Sequence, residues 1–219
     1  MNETALTREK ILEAAENVLR RYGLSKATVV DVARMLGVSH GSVYRHFASK
    51  AELREAVLRV WLSRVHDSLE IIAGERTEAS ERLTRWLEEL IAIKRRRLFD
   101  DPELFAAYGE LGKEAGEAIR EHLAHTTDQL RRIVVDGVAQ GEFTSEDPEA
   151  TTRAVLNATS RFHHPAHVAE WSKLHIDRDF REVLSLILQG AQGRASGGRG
   201  RAGKTRLPHA TEFLSLRGY

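Results

Sequence analysis

The sequence predicts an all-α protein with a small N-terminal helical unit and a larger helical body. Apolar residues recur at spacings of three, four and seven along most of the 219 residues, which is the periodicity of amphipathic helices. Glycines and Asp-Pro pairs interrupt this pattern where helices are expected to end or begin. No segment alternates between apolar and polar residues as a half-buried strand does.

The N-terminal unit opens with two predicted helices. Thr7 can cap the first helix, which carries apolar residues at helical spacing and ends at Gly23. Thr28 can cap the second, with Asp31 near the positive end of its dipole. Gly37 closes this second helix. Both glycines are therefore expected to mark turns.

A third, shorter helix follows almost at once. Ser39 can cap a helix of about two turns that carries Val43 and Phe47 inward. The space between Gly37 and Ser39 allows only a tight turn. Two short helices joined by such a glycine-containing turn form a helix-turn-helix.

The outward face of the third helix carries hydrogen-bond donors. The first residues of a recognition helix reach base edges in the major groove, so we predict that His40, Gly41 and Ser42 read bases. Gly41 would let the backbone approach the groove closely. Arg45 could donate two hydrogen bonds to a guanine.

A second set of polar residues is placed to hold phosphates. Tyr44, His46 and Lys50 offer a hydroxyl, an imidazole and an ammonium, and Thr28 adds a hydroxyl at a helix N-terminus. The alternative is that Tyr44 and His46 are half-buried packing residues and that Lys50 is only solvated. The DNA-contact prediction comprises Thr28, Ser39, His40, Gly41, Ser42, Tyr44, Arg45, His46 and Lys50.

This part of the chain resembles the DNA-binding domain of the tetracycline-repressor (TetR) family of bacterial regulators. The similar segment is ungapped and reads TVVDVARMLGVSHGSVYRHFASKAEL, from Thr28 to Leu53. Its most specific part is a set that generic helix-turn-helix sequences lack: Tyr44, His46, Phe47, Ser49, Lys50 and Leu53. The resemblance implies an all-helical homodimer that represses its target and releases DNA when a small molecule binds the C-terminal domain. It also implies that His40 and Arg45, which vary within the family, select a particular operator.

Composition and charge suit such an organisation. The net charge is +1, but residues 1–50 carry +3, residues 194–219 carry +5 and the segment between them carries −7. We expect a DNA-binding domain over 1–50, a helical regulatory and dimerisation domain over 51–192, and a disordered basic tail over 193–219.

The chain lacks cysteine, which excludes disulfides and thiol sensors. No membrane span or signal peptide is evident, so we expect a cytoplasmic location.

The body reads as a series of helices. Ser49 and Glu52 have the spacing of a capping box, which predicts one long helix to about Ala73, ended by Gly74. Further helices are predicted over about 80–98, through Leu104 to Tyr108, over about 113–140, from Asp147 to about His163, and through an apolar stripe from Phe180 to Ala191.

Two late helices carry wide apolar stripes, which predict packing across a two-fold axis. The candidate interface residues are Ala154, Val155, Ala158, Val183, Leu184, Ile187 and Leu188. Core packing within one chain is the alternative.

A predicted pocket for a small-molecule effector of unknown identity would use aromatic walls and polar anchors: Trp61, Trp86, Phe99, Phe105, Tyr108, His122, Thr126, Arg161 and Phe162. Aromatic residues at helical spacing are equally typical of a core.

Other classes of protein find less support. His163, His164 and His167 could bind a transition metal, but Pro165 breaks the helix that would align them, so neither a metal nor a cofactor is predicted. Glu121 and His125 lie on one predicted helix without a counterpart on a second, which disfavours a helical-bundle metalloprotein. The catalytic and phosphate-loop motifs of common enzymes are missing, so an enzyme is not predicted. An architectural or ligandless DNA-binding protein remains an alternative.

Overall fold

The structure, a computed structural model, describes residues 5–114 and 116–192 of the chain. It confirms the all-α class, since these residues form helices and connecting loops without a strand. A short 3₁₀ helix over Pro165–Glu170 connects the last two α-helices of this described part of the chain. The α-helices are α1 Arg8–Lys26, α2 Val29–Leu36, α3 His40–Tyr44, α4 Lys50–Ser63, α5 His66–Gly74, α6 Ala79–Asp100, α7 Pro102–Glu114, α8 Gly116–Ala139, α9 Pro148–His163 and α10 Ile176–Ala191.

The single long helix predicted to run to Ala73 is wrong, because the chain turns at Arg64 and Val65 between α4 and α5. The Arg64 side chain is drawn to Glu16 of α1 at 3.0 Å, and Val65 is fully buried. Both residues keep right-handed helical backbone angles, and the sequence offers neither glycine nor proline at this interruption. The two-turn length predicted for the third helix is also wrong: α3 ends at Tyr44, and Phe47 is buried just beyond it.

The core has two parts that meet along α4 and α7. Buried residues of α1 to α4 pack in one cluster with Leu104, Tyr108 and Leu111 of α7. A second cluster joins α5, α6, α8, α9 and α10 around Trp86. Helix α4 begins at Lys50 and packs with α1–α3, so the packing does not separate the two parts of the chain at residue 50. The domain boundary near residue 50 stays a prediction. The N-terminal unit therefore rests on the body through a continuous apolar contact.

Ion pairs strengthen this connection between the two parts. Arg20 of α1 pairs with Asp101 at the start of α7, and Arg59 of α4 pairs with Glu121 of α8 at 2.6 Å. The predicted tail over 193–219 lies outside the described residues. Within 5–114 and 116–192, none of the helices is long and apolar enough to cross a membrane.

Candidate DNA interface and regulatory sites

Local hydrogen bonds at helix N-termini fix the helix-turn-helix. Thr28 and Asp31 form a complete capping box: the Asp31 N–H donates to the Thr28 hydroxyl and the Thr28 N–H donates to the Asp31 carboxylate, each at 3.2 Å. The two hydrogen bonds from Thr28 lower the pKa of Asp31. Gly37 ends α2 with φ of +67°, a conformation that favours glycine. The caps and this turn set the angle between α2 and α3.

Helix α3 presents a polar face to solvent. Its cap is Ser39, whose hydroxyl accepts from the Ser42 N–H at 3.2 Å. Arg45 donates to the Ser42 hydroxyl at 3.0 Å, and the His40 and Tyr44 rings meet edge to face. Ser42 is half-buried, and the other four side chains are exposed. Hydrogen-bonding side chains therefore cluster on one face of α3, and their contacts with bases and phosphates stay a prediction.

The four residues predicted to hold phosphates differ in how accessible their polar groups are. Tyr44 and Lys50 are exposed, and Lys50 is the first residue of α4, where free N–H groups add positive potential. His46 is half-buried. The Thr28 hydroxyl donates to Asp31 at 2.5 Å, so it is already engaged within the capping box. The Thr28 N–H is engaged with Asp31 as well, so a phosphate contact here would fall to the backbone N–H groups that follow Thr28 in the first turn of α2.

Arg8 supports this surface, although no sequence pattern predicted it. Its guanidinium lies over the Phe47 ring at 4.1 Å, donates to the backbone oxygen of His46 and pairs with Glu52 at 3.4 Å. The Glu52 carboxylate also accepts from the Ala48 N–H at 2.6 Å, in place of the predicted reciprocal bond to Ser49. These contacts hold the turn between α3 and α4 against α1. A contact across 38 residues leaves no local signal in the sequence.

The predicted dimer residues divide between the surface and the core. Ala154 and Ala158 are exposed on α9, whereas Val155 and Leu184 are buried within the chain. The remaining three, on α10, are half-buried against the same core: Val183, Ile187 and Leu188. Leu186 of α10, which is not among the predicted residues, is 70% exposed on the outer face of this helix, where Arg181 and Glu182 are its neighbours. The outer face of α9 thus carries small residues, whereas that of α10 combines Leu186 with charged and polar side chains.

The predicted effector-pocket residues are also dispersed. Phe99 is exposed, so it cannot line an internal cavity, and Arg161 pairs with Glu170 and Asp179. Most of the remaining aromatic residues pack in the two cores, where Trp61 stacks on Tyr108 at a ring distance of 4.3 Å. Buried in the body are Trp86, Phe105, Tyr108, His122, Thr126 and Phe162. An open cleft between α5 and α8 is lined by residues outside the predicted set.

The histidines weighed as metal ligands make other contacts. His163 lies 3.3 Å from the Thr159 hydroxyl, and His167 lies 3.4 Å from Glu170. His125 stacks on His66, whereas Glu121 turns toward Arg59. Across residues 5–114 and 116–192, no group of three or more histidines and carboxylates is arranged to hold a metal ion.

Comparison with known proteins assigns both parts of the chain. Residues 11–57 match the model of bacterial regulatory proteins of the tetR family, and residues 79–184 match the tetracyclin repressor-like C-terminal domain. The transcriptional regulator TtgR of Pseudomonas putida is 42% identical over 67 residues, which are 31% of each chain. The transcriptional repressor KstR2 of Mycolicibacterium smegmatis is 27% identical over 199 residues, covering 86% of this chain and 92% of that repressor.

Solved structures agree on the fold. A TetR transcription regulator from Haloarcula marismortui superimposes with a TM-score of 0.67 over 85% of this chain and 98% of its own, at 24% identity. The two family models occupy the helix-turn-helix and most of the helical body described above. The chain is a member of the TetR family of DNA-binding transcriptional regulators.

Proposed function

We propose that the protein is a homodimeric repressor that binds a near-palindromic operator and releases it when a small molecule binds the body. The observation that carries this proposal is the exposed donor face of α3, held by the Ser39 cap and by Arg8. In each subunit α3 would enter the major groove. Two such helices must stand about 34 Å apart, or a multiple of this, to read successive major-groove faces.

Within this interface, base reading and phosphate binding are assigned to different residues. His40, Gly41, Ser42 and Arg45 would meet base edges, because they lie on the exposed side of α3 and at its end. Phosphate oxygens would be held by Ser39, Tyr44, His46, Lys50 and the N-terminus of α2 at Thr28. The acidic body would be repelled by DNA, which favours an approach by the N-terminal unit alone.

Dimerisation is assigned to the outer faces of α9 and α10. Ala154 and Ala158 permit close helix approach on α9, and Leu186 supplies exposed apolar area on α10. Two helices from each subunit would form a four-helix contact across a two-fold axis. Such a contact would fix the separation of the two α3 helices.

Signals would pass from body to DNA through α4. Arg97 of α6 donates to the backbone oxygen of Trp61 at 2.8 Å, and its guanidinium lies 4.5 Å from the Trp61 ring. A ligand that favours a different position of α6 would therefore act on α4 and on the helices packed against it. The ligand can weaken DNA binding only by its difference in affinity between the two arrangements.

The test is selection of bound sequences from random duplex DNA with the purified chain. We expect a near-palindromic motif that is lost in the Tyr44→Ala variant. Enrichment of a single, unrepeated motif would contradict the dimer, and no enrichment would favour an architectural DNA-binding protein instead.

A further inference from the structure

Three basic side chains are buried together in the body. Lys94 of α6, His122 of α8 and His66 of α5 are each 8% exposed. The Lys94 Nζ lies 3.4 Å from His122 Nε2, and His122 Nδ1 lies 3.0 Å from His66 Nε2. We call these residues the basic cluster.

The basic cluster has more donors than acceptors. The Lys94 ammonium can only donate, so His122 Nε2 accepts from it and carries its proton on Nδ1. His122 then donates to His66 Nε2, which leaves the proton of His66 on Nδ1. That Nδ1 is buried and has no hydrogen-bond partner in the described structure. The series of hydrogen bonds from Lys94 through His122 thus ends at the His66 Nδ1–H, which has no acceptor.

The charge of Lys94 is also unpaired. Within residues 5–114 and 116–192, it forms no ion pair with a carboxylate, and the charge acting on it is the cation Arg97. Burial lowers the pKa of Lys94 to about 8, so the amine is mostly protonated at neutral pH. Burial lowers the pKa of His66 to about 4 and that of His122 to about 2, so both imidazoles are neutral there. The basic cluster therefore carries one positive charge.

An isolated buried ammonium destabilises the folded state unless an anion compensates it. Trp86 and Leu90 lie two turns and one turn before Lys94 on the same face of α6, and both are buried. The Trp86 indole N–H has no acceptor either. The part of an organic anion that extends from its charged group at Lys94 would thus meet apolar side chains.

We propose that the basic cluster binds the carboxylate of a small amphipathic organic acid. The inference rests on the proposed function, since it names the chemical class of the effector. One carboxylate balances the single charge of Lys94 and accepts the free ammonium hydrogens. Trp86 and Leu90 are fully buried in the core, so the apolar part of the acid reaches them only in an arrangement in which α6 and its neighbours move apart.

An opening lies beside the basic cluster. A surface cleft of about 440 Å³ between α5 and α8 is lined by His66 and His125, among others. Glu70 and Asp128 also line it, but Arg132 is ion-paired with both at 2.5 Å and 3.3 Å. Because His66 belongs to the cleft wall and to the basic cluster, a displacement of its ring would open the cluster toward solvent at His122, the residue that contacts Lys94.

The test compares acids with matched neutral molecules on the full chain. The probes are straight-chain carboxylates of four to twelve carbons and benzoate, each beside its primary alcohol. We expect at least one acid to raise the melting temperature by several degrees more than its alcohol, and to lower the affinity for a selected operator at least tenfold. Equal effects of acid and alcohol throughout the series would overturn the proposal.

Variants locate the effect. Lys94→Met keeps the length of the side chain and removes its charge, so the difference between acid and alcohol should vanish. Lys173→Met, at an exposed lysine, should retain the difference. A difference that persists in Lys94→Met would refute the site; if this variant does not fold, Lys94→Gln is measured and judged the same way. If the wild-type chain bound no operator at all, the proposed function would be refuted instead. The failure of the proposed function and the failure of the proposed acid site are therefore distinguishable.

Discussion

At the scale of single residues, Tyr44 and Arg45 are neighbours to which different tasks are assigned. Tyr44 is 43% exposed beside His40, and Arg45 is held by the Ser42 hydroxyl at the end of α3. A phosphate contact adds affinity for any sequence, whereas a base contact separates one sequence from another. The two residues should therefore respond differently to substitution.

We expect Tyr44→Ala and Lys50→Ala to weaken binding to every duplex by about 1 kcal/mol, because each loses a phosphate contact. Lys50→Ala should also reduce the slope of log affinity against log salt by about one. Arg45→Ala should change the preferred base at one position, at a cost of about 1–3 kcal/mol. Fluorescence anisotropy with the selected operator and its base variants measures all three. A uniform loss from all three variants would contradict the division.

Buried histidines make stability depend on pH. Burial lowers the pKa of His66 and His163 to about 4 and that of His122 to about 2, while a histidine in the unfolded chain titrates near about 6.5. Below this value the unfolded state takes up protons that the folded state does not. The free energy of unfolding should then fall by about 1.4 kcal/mol per histidine and per pH unit, until the folded pKa is reached.

Thermal unfolding between pH 7 and pH 5 measures this decrease. His66→Gln should make the melting temperature depend less on pH, and His40→Gln, at an exposed position, should leave the dependence as it is. A melting temperature that stays constant over this range would show that the three imidazoles are not buried in their neutral form.

Some of these residues were predictable and others were not. The donor face of α3 and the caps Ser39 and Thr28 follow from patterns within four residues, and the structure reproduces both caps. The contact of Arg8 with His46 and the contact of His66 with His122 join residues 38 and 56 positions apart. Periodicity describes one helix at a time, so it cannot reveal which polar side chains of two helices meet.

At the scale of elements, the turn between α2 and α3 determines how the recognition helix is presented. Gly37 has a φ of +67°, and no atom lies within 4 Å of the place that a Cβ would take, so a side chain there would suffer backbone strain rather than a clash. Gly41, within α3, has ordinary helical geometry, and a methyl group there would meet only the Ser39 hydroxyl at 3.8 Å. The two glycines therefore form a matched pair.

We expect Gly37→Ala to destabilise the chain by about 1 kcal/mol through left-handed strain. Gly41→Ala should stabilise it by up to about 1 kcal/mol, because alanine favours a helix, yet it should weaken operator binding by placing a methyl group at the groove. Urea unfolding and anisotropy on the same samples separate the two effects. Unchanged operator affinity in Gly41→Ala would mean that this part of α3 does not approach DNA.

The elements also show where sequence patterns fail. Most helix positions were predicted, because glycines and Asp-Pro pairs act locally. The break at Arg64 and Val65 was not, because the ion pair with Glu16 and the burial of Val65 exist only in the folded chain. Helix α5 begins directly after that break with His66, a member of the basic cluster.

At the scale of the whole molecule, the outer faces of α9 and α10 are expected to join two copies. Leu186 on α10 and Ile71 on α5 are both aliphatic and similarly exposed, at 70% and 69%. Only Leu186 lies on the proposed interface. The sequence predicted the two helices, but it could not separate their outer faces from Val155 and Leu184, which pack inward.

We expect Leu186→Glu to weaken dimerisation at least tenfold, because it replaces the exposed apolar side chain of the proposed contact with a charge that dimerisation would bury. Ile71→Glu, the matched control on α5, should remain dimeric. Sedimentation velocity over a range of concentrations distinguishes these outcomes. Equal behaviour of both variants would place the dimer contact elsewhere.

The proposed function depends above all on two α3 helices that are held at a fixed separation and read one operator together. Its decisive test is the affinity for the selected operator before and after insertion of five base pairs between the half-sites. This insertion turns one half-site by about half a helical turn away from its recognition helix. We expect an affinity at least a hundredfold lower, close to that of a single half-site. Equal affinity for both duplexes would show that the two helices do not act together.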